Sequence, residues 1–176
     1  VADKLALSIA DPLVFSKIRA RFGGRLQYAV SGGAALSREV GQFIQAIGIT
    51  LLEGYGLTET APLVSANVPA TNRVGSVGRP IPEVKVVIDK EASGDPKHGE
   101  IVVYGPNIMQ GYHNRPEENA EVFVENHGFR TGDLGYLDDD GFLYITGRIK
   151  QQYKLENGKY VSPAPLEEQL KLSPFI

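Results

Sequence analysis

The first third of the chain alternates apolar runs with glycine-rich turns. Residues 13–22 place apolar side chains on one helical face and end at Gly23-Gly24, which predicts a short helix carrying Val14, Phe15, Ile18 and Phe22 on that face. Residues 26–30 and 49–53 are compact apolar runs, and each predicts a short buried strand.

A second helix is predicted between these two strands. Ser37 is a suitable N-cap, because its hydroxyl can accept a hydrogen bond from the first helical turn. Gly48 ends the pattern, and the residues between have the spacing of a core-facing stripe, namely Val40, Phe43, Ile44 and Ile47. Strand, turn, helix and strand in this order predict a βαβ unit, whose loops meet at one sheet edge. We therefore expect residues 31–34 and 55–59 to lie side by side.

After residue 62 the pattern changes to short β-rich runs punctuated by proline and glycine, at 63–66, 84–88, 100–104, 134–137 and 142–145. Such runs predict a small antiparallel sheet or barrel. Residues 115–123 predict a short helix with Pro116 in its first turn. The predicted fold class is therefore α/β, with the βαβ part of a doubly wound sheet followed by a small antiparallel β-barrel-like region.

Two local patterns each allow two interpretations. Asp138-Asp-Asp-Gly141 suits a hairpin turn, or a calcium loop if a distant glutamate completes the ligand set. The missing glutamate favours the hairpin. Glu53 follows Gly33 by twenty residues, where the ribose-binding acid of a dinucleotide fold would stand, but the turn lacks the G-x-G-x-x-G spacing of that fold.

Composition excludes several classes of protein. The 176 residues suit one ordinary domain, and 42% hydrophobic with 22% charged residues is typical of a globular protein. The net charge of -3, with both signs spread along the chain, leaves no basic face for nucleic acid. The absence of cysteine excludes disulfides, thiolate metal sites and a cysteine nucleophile. No signal peptide or membrane-length apolar run is recognised, and the start at Val1 together with a helical pattern cut short after Leu166 suggests a fragment.

The segment with the most potential ligand-binding groups begins at the end of the second predicted strand. It is Glu53-Gly-Tyr-Gly-Leu-Thr-Glu59. The ring of Tyr55 can stack on a base, the hydroxyl of Thr58 can donate to a phosphate oxygen, and the carboxylate of Glu59 can hold Mg2+. These are the parts of a nucleotide site. The alternative is a strand-to-helix turn in which Thr58 only caps a helix and Tyr55 packs in the core.

Four motifs, in order and spacing, resemble the adenylate-forming superfamily of acyl-CoA synthetases, peptide-synthetase adenylation domains and luciferases. They are Ser31-Gly-Gly-Ala34, Tyr55-Gly-Leu-Thr-Glu59, Arg130-Thr-Gly-Asp133 and Gly147-Arg-Ile-Lys150. Gly99-Glu-Ile-Val-Val-Tyr-Gly105, Gly111-Tyr112 and Pro116-Glu117 are similar to the superfamily's connecting segment. Within the superfamily, three segments are most similar in sequence to long-chain fatty acyl-CoA synthetases. They are Glu53–Thr60, Val77–Pro80 and Tyr153–Val161.

The resemblance implies an ATP-dependent long-chain fatty acid-CoA ligase that uses Mg2+, with ATP, a fatty acid and coenzyme A as substrates and no nucleic acid partner. Two alternatives stay open. One is an aryl, short-chain or carrier-protein-linked adenylating enzyme, and the other is a non-catalytic module that binds nucleotide or acyl groups. A cytoplasmic protein with peripheral membrane contact is expected by analogy with enzymes that handle insoluble acids.

The resemblance also implies roles for individual residues. Gly32, Gly33 and Gly56 would let the acyl carboxylate and the nucleotide approach the main chain, with Ala34 beside them. Tyr55 would flank the adenine, Thr58 would bond the α-phosphate and Glu59 would coordinate Mg2+. These implied nucleotide contacts are completed by Asp133, which would accept from both ribose hydroxyls, and by Arg148, which would donate near the ribose and phosphate.

Two lysines would belong to the hinge that joins the AMP-binding domain to a small C-terminal domain. Lys150 corresponds to the pivot of a small C-terminal domain, and Lys154 to a lysine used mainly in thioester formation. The alternatives are solvated linker lysines, a loop aspartate at Asp133 that bonds its own backbone, and a surface salt bridge at Arg148.

The predicted divisions are an α/β portion over 1–72, a β-rich portion over 73–147, and a hinge leading into a C-terminal α+β domain over 148–176. The family's phosphate loop and its C-terminal lysine have no counterpart in this sequence. We therefore expect the 176 residues alone to be inactive.

Overall fold

A computed structural model describes residues 14–34, 36–91, 97–154, 160, 161, 163, 166, 167 and 170. The helices within them are α1 Ser16–Arg21, α2 Arg38–Ala46 and α3 Pro116–Val122. The strands are β1 Tyr28–Ser31, β2 Thr50–Tyr55, β3 Ser65–Ala66, β4 Arg79–Pro80, β5 Lys85–Asp89, β6 Gly99–Tyr104, β7 Phe123–Val124, β8 Gly128–Leu137, β9 Leu143–Arg148, β10 Tyr153–Lys154 and β11 Tyr160–Val161. Within these ranges, no helix has the length and apolar character needed to cross a membrane.

The first sheet has the strand order β1-β2-β3-β4. β1 and β2 are parallel and are joined through α2, with Ser31 opposite Glu53 at their carboxyl ends. The predicted βαβ unit is therefore confirmed. The Ser37 hydroxyl caps α2 by accepting a hydrogen bond from the Val40 N–H at 3.2 Å, as its position predicts.

The apolar stripes predicted for the two helices are buried only in part. Phe22, at the end of α1, is 59% exposed and Phe43 of α2 is 52% exposed. The face of α2 that meets the sheet is centred on Gly41, and Ile47 at 3% exposure belongs to it. A Cβ built at Gly41 would lie 3.0 Å from a Val74 methyl group and 3.7 Å from a Leu51 methyl group, so the tight contact that favours glycine here is with Val74. For α2 the prediction was therefore correct for Ile47 and the half-buried Ile44, and wrong for Val40 and Phe43, which are exposed.

The second sheet is antiparallel, with the order β5-β6-β8-β7 and with β9 also paired to β8. β8 has β6 along one edge, while β7 and then β9 share its other edge. This curled sheet confirms the predicted barrel-like region. The run predicted at 134–137 is the second half of β8, which begins at Gly128. The buried core cluster comprises Val64, Val86, Ile101, Val103, Ile108, Phe129 and Leu143.

A bulge interrupts β8 at residues 131–133, which lie opposite Ile101 alone, since Glu100 pairs with Leu134 and Val102 pairs with Arg130. The Thr131 hydroxyl donates to the Ile101 carbonyl at 2.8 Å and accepts from the Asp133 N–H at 3.1 Å. Gly132 adopts a φ of +71°, which favours glycine. A bulge re-aims the side chains beside it, and here it directs Asp133 at the first sheet.

The turn between β8 and β9 is a hairpin, as predicted. Asp138 Oδ1 accepts from the N–H groups of Asp140 at 3.1 Å and Phe142 at 2.8 Å. Asp138 Oδ2 pairs with Arg73 at 2.5 Å. Both carboxylate oxygens therefore already have partners within the protein, and the calcium-loop interpretation has no support.

An ion cluster supports the bulge from below. The Arg130 guanidinium donates to Glu100 and, at 2.9 Å, to Asp89. Glu100 is 5% exposed, and its Oε1 accepts from the Gly132 N–H at 3.2 Å. The charge of Arg130 is therefore what makes a buried carboxylate under the bulge tolerable.

Replacing Arg130 with methionine should lower the free energy of unfolding by about 3 kcal/mol, because the Glu100 charge then stays buried without its partner. The matched control is Arg115→Met, which removes an exposed pair with Glu118 at 3.2 Å and should cost under about 0.5 kcal/mol. Urea unfolding of both variants in the same protein measures the difference. Equal losses would contradict the assignment of Arg130 as the support of the bulge.

Candidate functional site

Two adjoining clefts lie where β1 and β2 end beside the bulge of β8 and the end of β9, with volumes of about 690 Å³ and 610 Å³. Both clefts are lined by Ser31, Gly33, Gly54, Tyr55, Gly56 and Arg148. Ala34 and Asp133 line the first cleft, whereas Gly32, Thr58 and Glu59 line the second. The predicted site residues other than the two lysines are thus brought together at one sheet edge.

Tyr55, Asp133 and Arg148 form the polar centre of the first cleft. The Tyr55 hydroxyl donates to Asp133 Oδ2 at 2.7 Å, and Arg148 Nε donates to Asp133 Oδ1 at 2.8 Å. The side chain of Asp133 is 6% exposed, whereas that of Arg148 is 61% exposed. Burial, together with the neighbouring Asp133 charge, raises the pKa of Tyr55, so its phenol remains a donor.

This geometry tests the alternatives given for these residues, namely a loop aspartate that bonds its own backbone, a surface salt bridge at Arg148 and a tyrosine that only packs in the core. The Asp133 carboxylate bonds Tyr55 and Arg148 rather than its own backbone, whose N–H is taken by Thr131. Arg148 does form an ion pair, and its partner is the cleft aspartate. Tyr55 packs against the core cluster and also presents its hydroxyl to the cleft. Each Asp133 oxygen accepts one hydrogen bond from these two side chains and has a second lone pair for a ligand hydroxyl.

The turn after β2 is fixed by Thr60 rather than by Thr58. The buried Thr60 hydroxyl accepts from the Leu57 N–H at 3.0 Å, and the carbonyls of Leu57 and Pro62 lie within its reach. Asn107 Nδ2 donates to the Thr60 carbonyl at 3.0 Å. Thr58 is exposed at the second cleft. Sequence reasoning missed Thr60, although a second threonine in the same turn was a visible signal. It also missed Asn107, which stands in no recognisable pattern.

Gly56 is required by the fold itself. A Cβ built there would lie 1.6 Å from the Pro62 carbonyl oxygen, because the chain folds back over this position. The sequence suggested that Gly56 leaves room for a ligand, and the structure adds a reason that holds without one. At Gly54, two residues earlier, a Cβ would lie 3.4 Å from the Ser65 carbonyl oxygen, which is ordinary contact.

Gly56→Ala should therefore displace the turn that carries Thr58 and Glu59, and lower the free energy of unfolding by about 3 kcal/mol or more. Gly54→Ala is the matched control and should cost about 1 kcal/mol or less. Thermal unfolding compares the two variants. The account of this turn would be wrong if alanine were tolerated equally at both positions.

Glu53 holds a neighbouring loop at the first cleft. Its Oε1 accepts a hydrogen bond from the Gly75 N–H at 3.0 Å. Burial raises the pKa of Glu53, while the Gly75 hydrogen bond opposes that rise. The acid that a dinucleotide fold would aim at a ribose is thus occupied with the backbone.

A metal ion at Glu59 would need help from a ligand. In the described part of the chain, no group of three or more histidine, cysteine, aspartate or glutamate side chains is placed to hold one. Mg2+ keeps several waters and binds through one or two carboxylates together with substrate phosphates. A lone carboxylate beside Thr58 therefore fits an Mg2+ that arrives with a nucleotide.

Of the two hinge lysines, Lys150 lines neither cleft. Lys150 is exposed in the single turn Ile149–Gln151. Lys154 lies in β10, where its backbone pairs with that of Tyr160, and its side chain lies outside the described residues. The hinge and the divisions at residues 72 and 147 remain predictions.

The curled sheet, the βαβ edge and the cleft between them are the arrangement of adenylate-forming enzymes. O-succinylbenzoate coenzyme A synthetase from Bacillus subtilis, solved in complex with ATP and magnesium, matches 84% of this chain and 31% of its own, at 33% identity and a TM-score of 0.73. An anthranilate CoA ligase in complex with anthranoyl-AMP matches 85% of this chain and 29% of its own, at 26% identity and a TM-score of 0.72.

The family model described as AMP-binding enzyme matches residues 4–113, and the chain belongs to that family. Long-chain-fatty-acid--CoA ligase FadD15 of Mycobacterium tuberculosis is 40% identical over 96% of this chain. Long-chain-fatty-acid--CoA ligase 1 of Schizosaccharomyces pombe is 39% identical, also over 96%. The chain spans 27% and 26% of the lengths of these two relatives.

Proposed function

We propose that this chain forms the AMP-binding part of an ATP-dependent long-chain fatty acid-CoA ligase. In the first step a fatty acid carboxylate attacks the α-phosphorus of ATP, which forms acyl-AMP and releases pyrophosphate. In the second step the thiol of coenzyme A attacks the acyl carbon and AMP leaves. The observation that carries the proposal is the convergence of Tyr55, Asp133 and Arg148 on one cleft.

Asp133 is the anchor for the ribose in this proposal. Tyr55 and Arg148 already hold one lone pair on each of its oxygens, so the carboxylate is oriented before the ligand arrives. Two ribose hydroxyls can donate to the remaining lone pairs. Tyr55 offers its ring face to the adenine, and Arg148, which is largely exposed, adds positive charge near the phosphate.

Thr58 and Glu59 serve the phosphates from the second cleft. The Thr58 hydroxyl bonds the α-phosphate, and the Glu59 carboxylate holds Mg2+. When bound, Mg2+ neutralises phosphate charge during the in-line displacement. Gly32 and Gly33 line the adjoining wall, where the acyl carboxylate approaches the main chain.

The two lysines act after adenylation. Lys150 is the pivot of domain rotation, and Lys154 enters the site in the thioester-forming pose. By analogy with enzymes that handle insoluble acids, the protein that performs both steps is cytoplasmic with peripheral membrane contact. The 176 residues alone make no acyl-CoA, since adenylation also needs a cradle for the leaving pyrophosphate.

Replacing Asp133 with alanine in the full-length ligase should lower kcat/KM for ATP about 100-fold, because two hydrogen bonds to a charged group are lost. The KM for the fatty acid should change little. The matched control is Asp139→Ala, in the exposed turn of the hairpin, which should leave both constants unchanged. Steady-state kinetics with each substrate varied in turn gives the values. Similar kcat/KM for ATP in both variants would contradict the role of Asp133.

The acyl substrate is tested by ATP–pyrophosphate exchange in the full-length protein with acids of graded length. Preference for long chains is expected, as the names of the relatives at 39–40% identity suggest. Preference for aryl or short acids would favour the second candidate, which rests on the fold shared with the O-succinylbenzoate and anthranilate enzymes. Absence of exchange with every acid would favour a non-catalytic module.

A further inference from the structure

Glu59 is held from outside its own turn. Its backbone carbonyl accepts a hydrogen bond from the Met109 N–H at 2.8 Å. Its side-chain Oε1 accepts from the Tyr112 hydroxyl at 2.8 Å. Both donors belong to the loop between β6 and α3, fifty or so residues further along the chain. Among the described residues, Oε2 has no hydrogen-bond partner and is left for another ligand.

Tyr112 is itself clamped by one side chain of α3. Asn119 Oδ1 accepts from the Tyr112 N–H at 2.8 Å, and Asn119 Nδ2 donates to the Tyr112 carbonyl at 2.9 Å. The Asn119 N–H bonds the Arg115 carbonyl at 3.0 Å, at the start of the helix. A two-point amide contact fixes the backbone of Tyr112, and hence the position of its ring.

The Tyr112 phenol is a dependable donor. Burial, reinforced by the hydrogen bond to Glu59 and by its charge, raises the pKa of Tyr112 to about 12. The geometry agrees with this, since the hydroxyl lies 2.8 Å from Glu59 Oε1 and donates to it. A neutral donor bonded to one carboxylate oxygen selects one rotamer and leaves the charge of the carboxylate in place.

We propose that Tyr112, clamped by Asn119, is a positioning residue that orients Glu59 so that its free oxygen Oε2 coordinates the Mg2+ carried by ATP. This inference rests on the proposed function of Glu59 as metal ligand. Partners that orient a metal ligand in this way typically account for 10- to 100-fold in metal affinity. It also gives a physical role to the Gly111-Tyr112 and Pro116-Glu117 segment, which the sequence marked only as a connecting element.

The test uses the full-length ligase and Mn2+ as a spectroscopic probe of the Mg2+ site. Tyr112→Phe removes one oxygen atom and keeps the ring. In the presence of a non-hydrolysable ATP analogue, the Mn2+ dissociation constant measured by electron paramagnetic resonance should rise about 10-fold. The free Mg2+ concentration for half-maximal pyrophosphate exchange should rise equally. The maximal rate at saturating Mg2+ and the melting temperature should stay near the parent values.

Three variants make the result decisive. Asn119→Ala should shift the Mn2+ constant in the same direction, and combining it with Tyr112→Phe should add little, because both act through one contact. Tyr104→Phe, a partly buried tyrosine at the end of β6, should leave metal affinity unchanged. Glu59→Gln should weaken Mn2+ binding at least as much as Tyr112→Phe.

Each outcome has one meaning. Unchanged Mn2+ affinity in Tyr112→Phe, with a clear loss in Glu59→Gln, would overturn the positioning role and leave the proposed function standing. Unchanged affinity in Glu59→Gln would overturn the metal role of Glu59 and this inference with it. A loss of melting temperature and maximal rate at every Mg2+ concentration, without a shift in metal affinity, would make Tyr112 a purely structural residue.

Discussion

The hydrogen bond from Tyr55 to Asp133 joins the two sheets of this protein at its cleft. β2 ends at Tyr55 and the bulge of β8 ends at Asp133, and the 2.7 Å contact brings these elements of different sheets to one point. Arg148 approaches the same carboxylate from β9. In the proposed nucleotide site Tyr55 supplies the aromatic face, Asp133 the acceptor for the ribose and Arg148 the cation, and the buried carboxylate holds the other two side chains in place.

The position of the Asp133 carboxylate depends on the residues that support the β8 bulge. Thr131 and Gly132 shape the bulge, and Glu100 accepts from its backbone while being neutralised by Arg130. On the other side of the cleft, Thr60 plays the corresponding part for Glu59 and its neighbours. In both places the residue proposed to bind the ligand is held by one that lies behind it, which is how a site keeps its geometry before the ligand binds.

The sequence predicted the elements well where the signal is local. The βαβ unit, the Ser37 cap and the 138–141 hairpin follow from periodicity and turn chemistry within a few residues. The bulge could not be predicted, because it depends on the register between β6 and β8, which are separated by some thirty residues. The choice of Thr60 over Thr58, and the exposure of Val40 and Phe43 while Ile47 is buried, depend likewise on the elements that pack against them. The motifs indicated which side chains gather at the cleft, but not which of them support the others.

A crystal structure of the full-length protein with AMP tests the central claim most directly. The account predicts the adenine packed against the ring of Tyr55 and both ribose hydroxyls within hydrogen-bond distance of the Asp133 carboxylate. AMP bound at a place that touches neither residue, with the Tyr55 to Asp133 contact undisturbed, would contradict it.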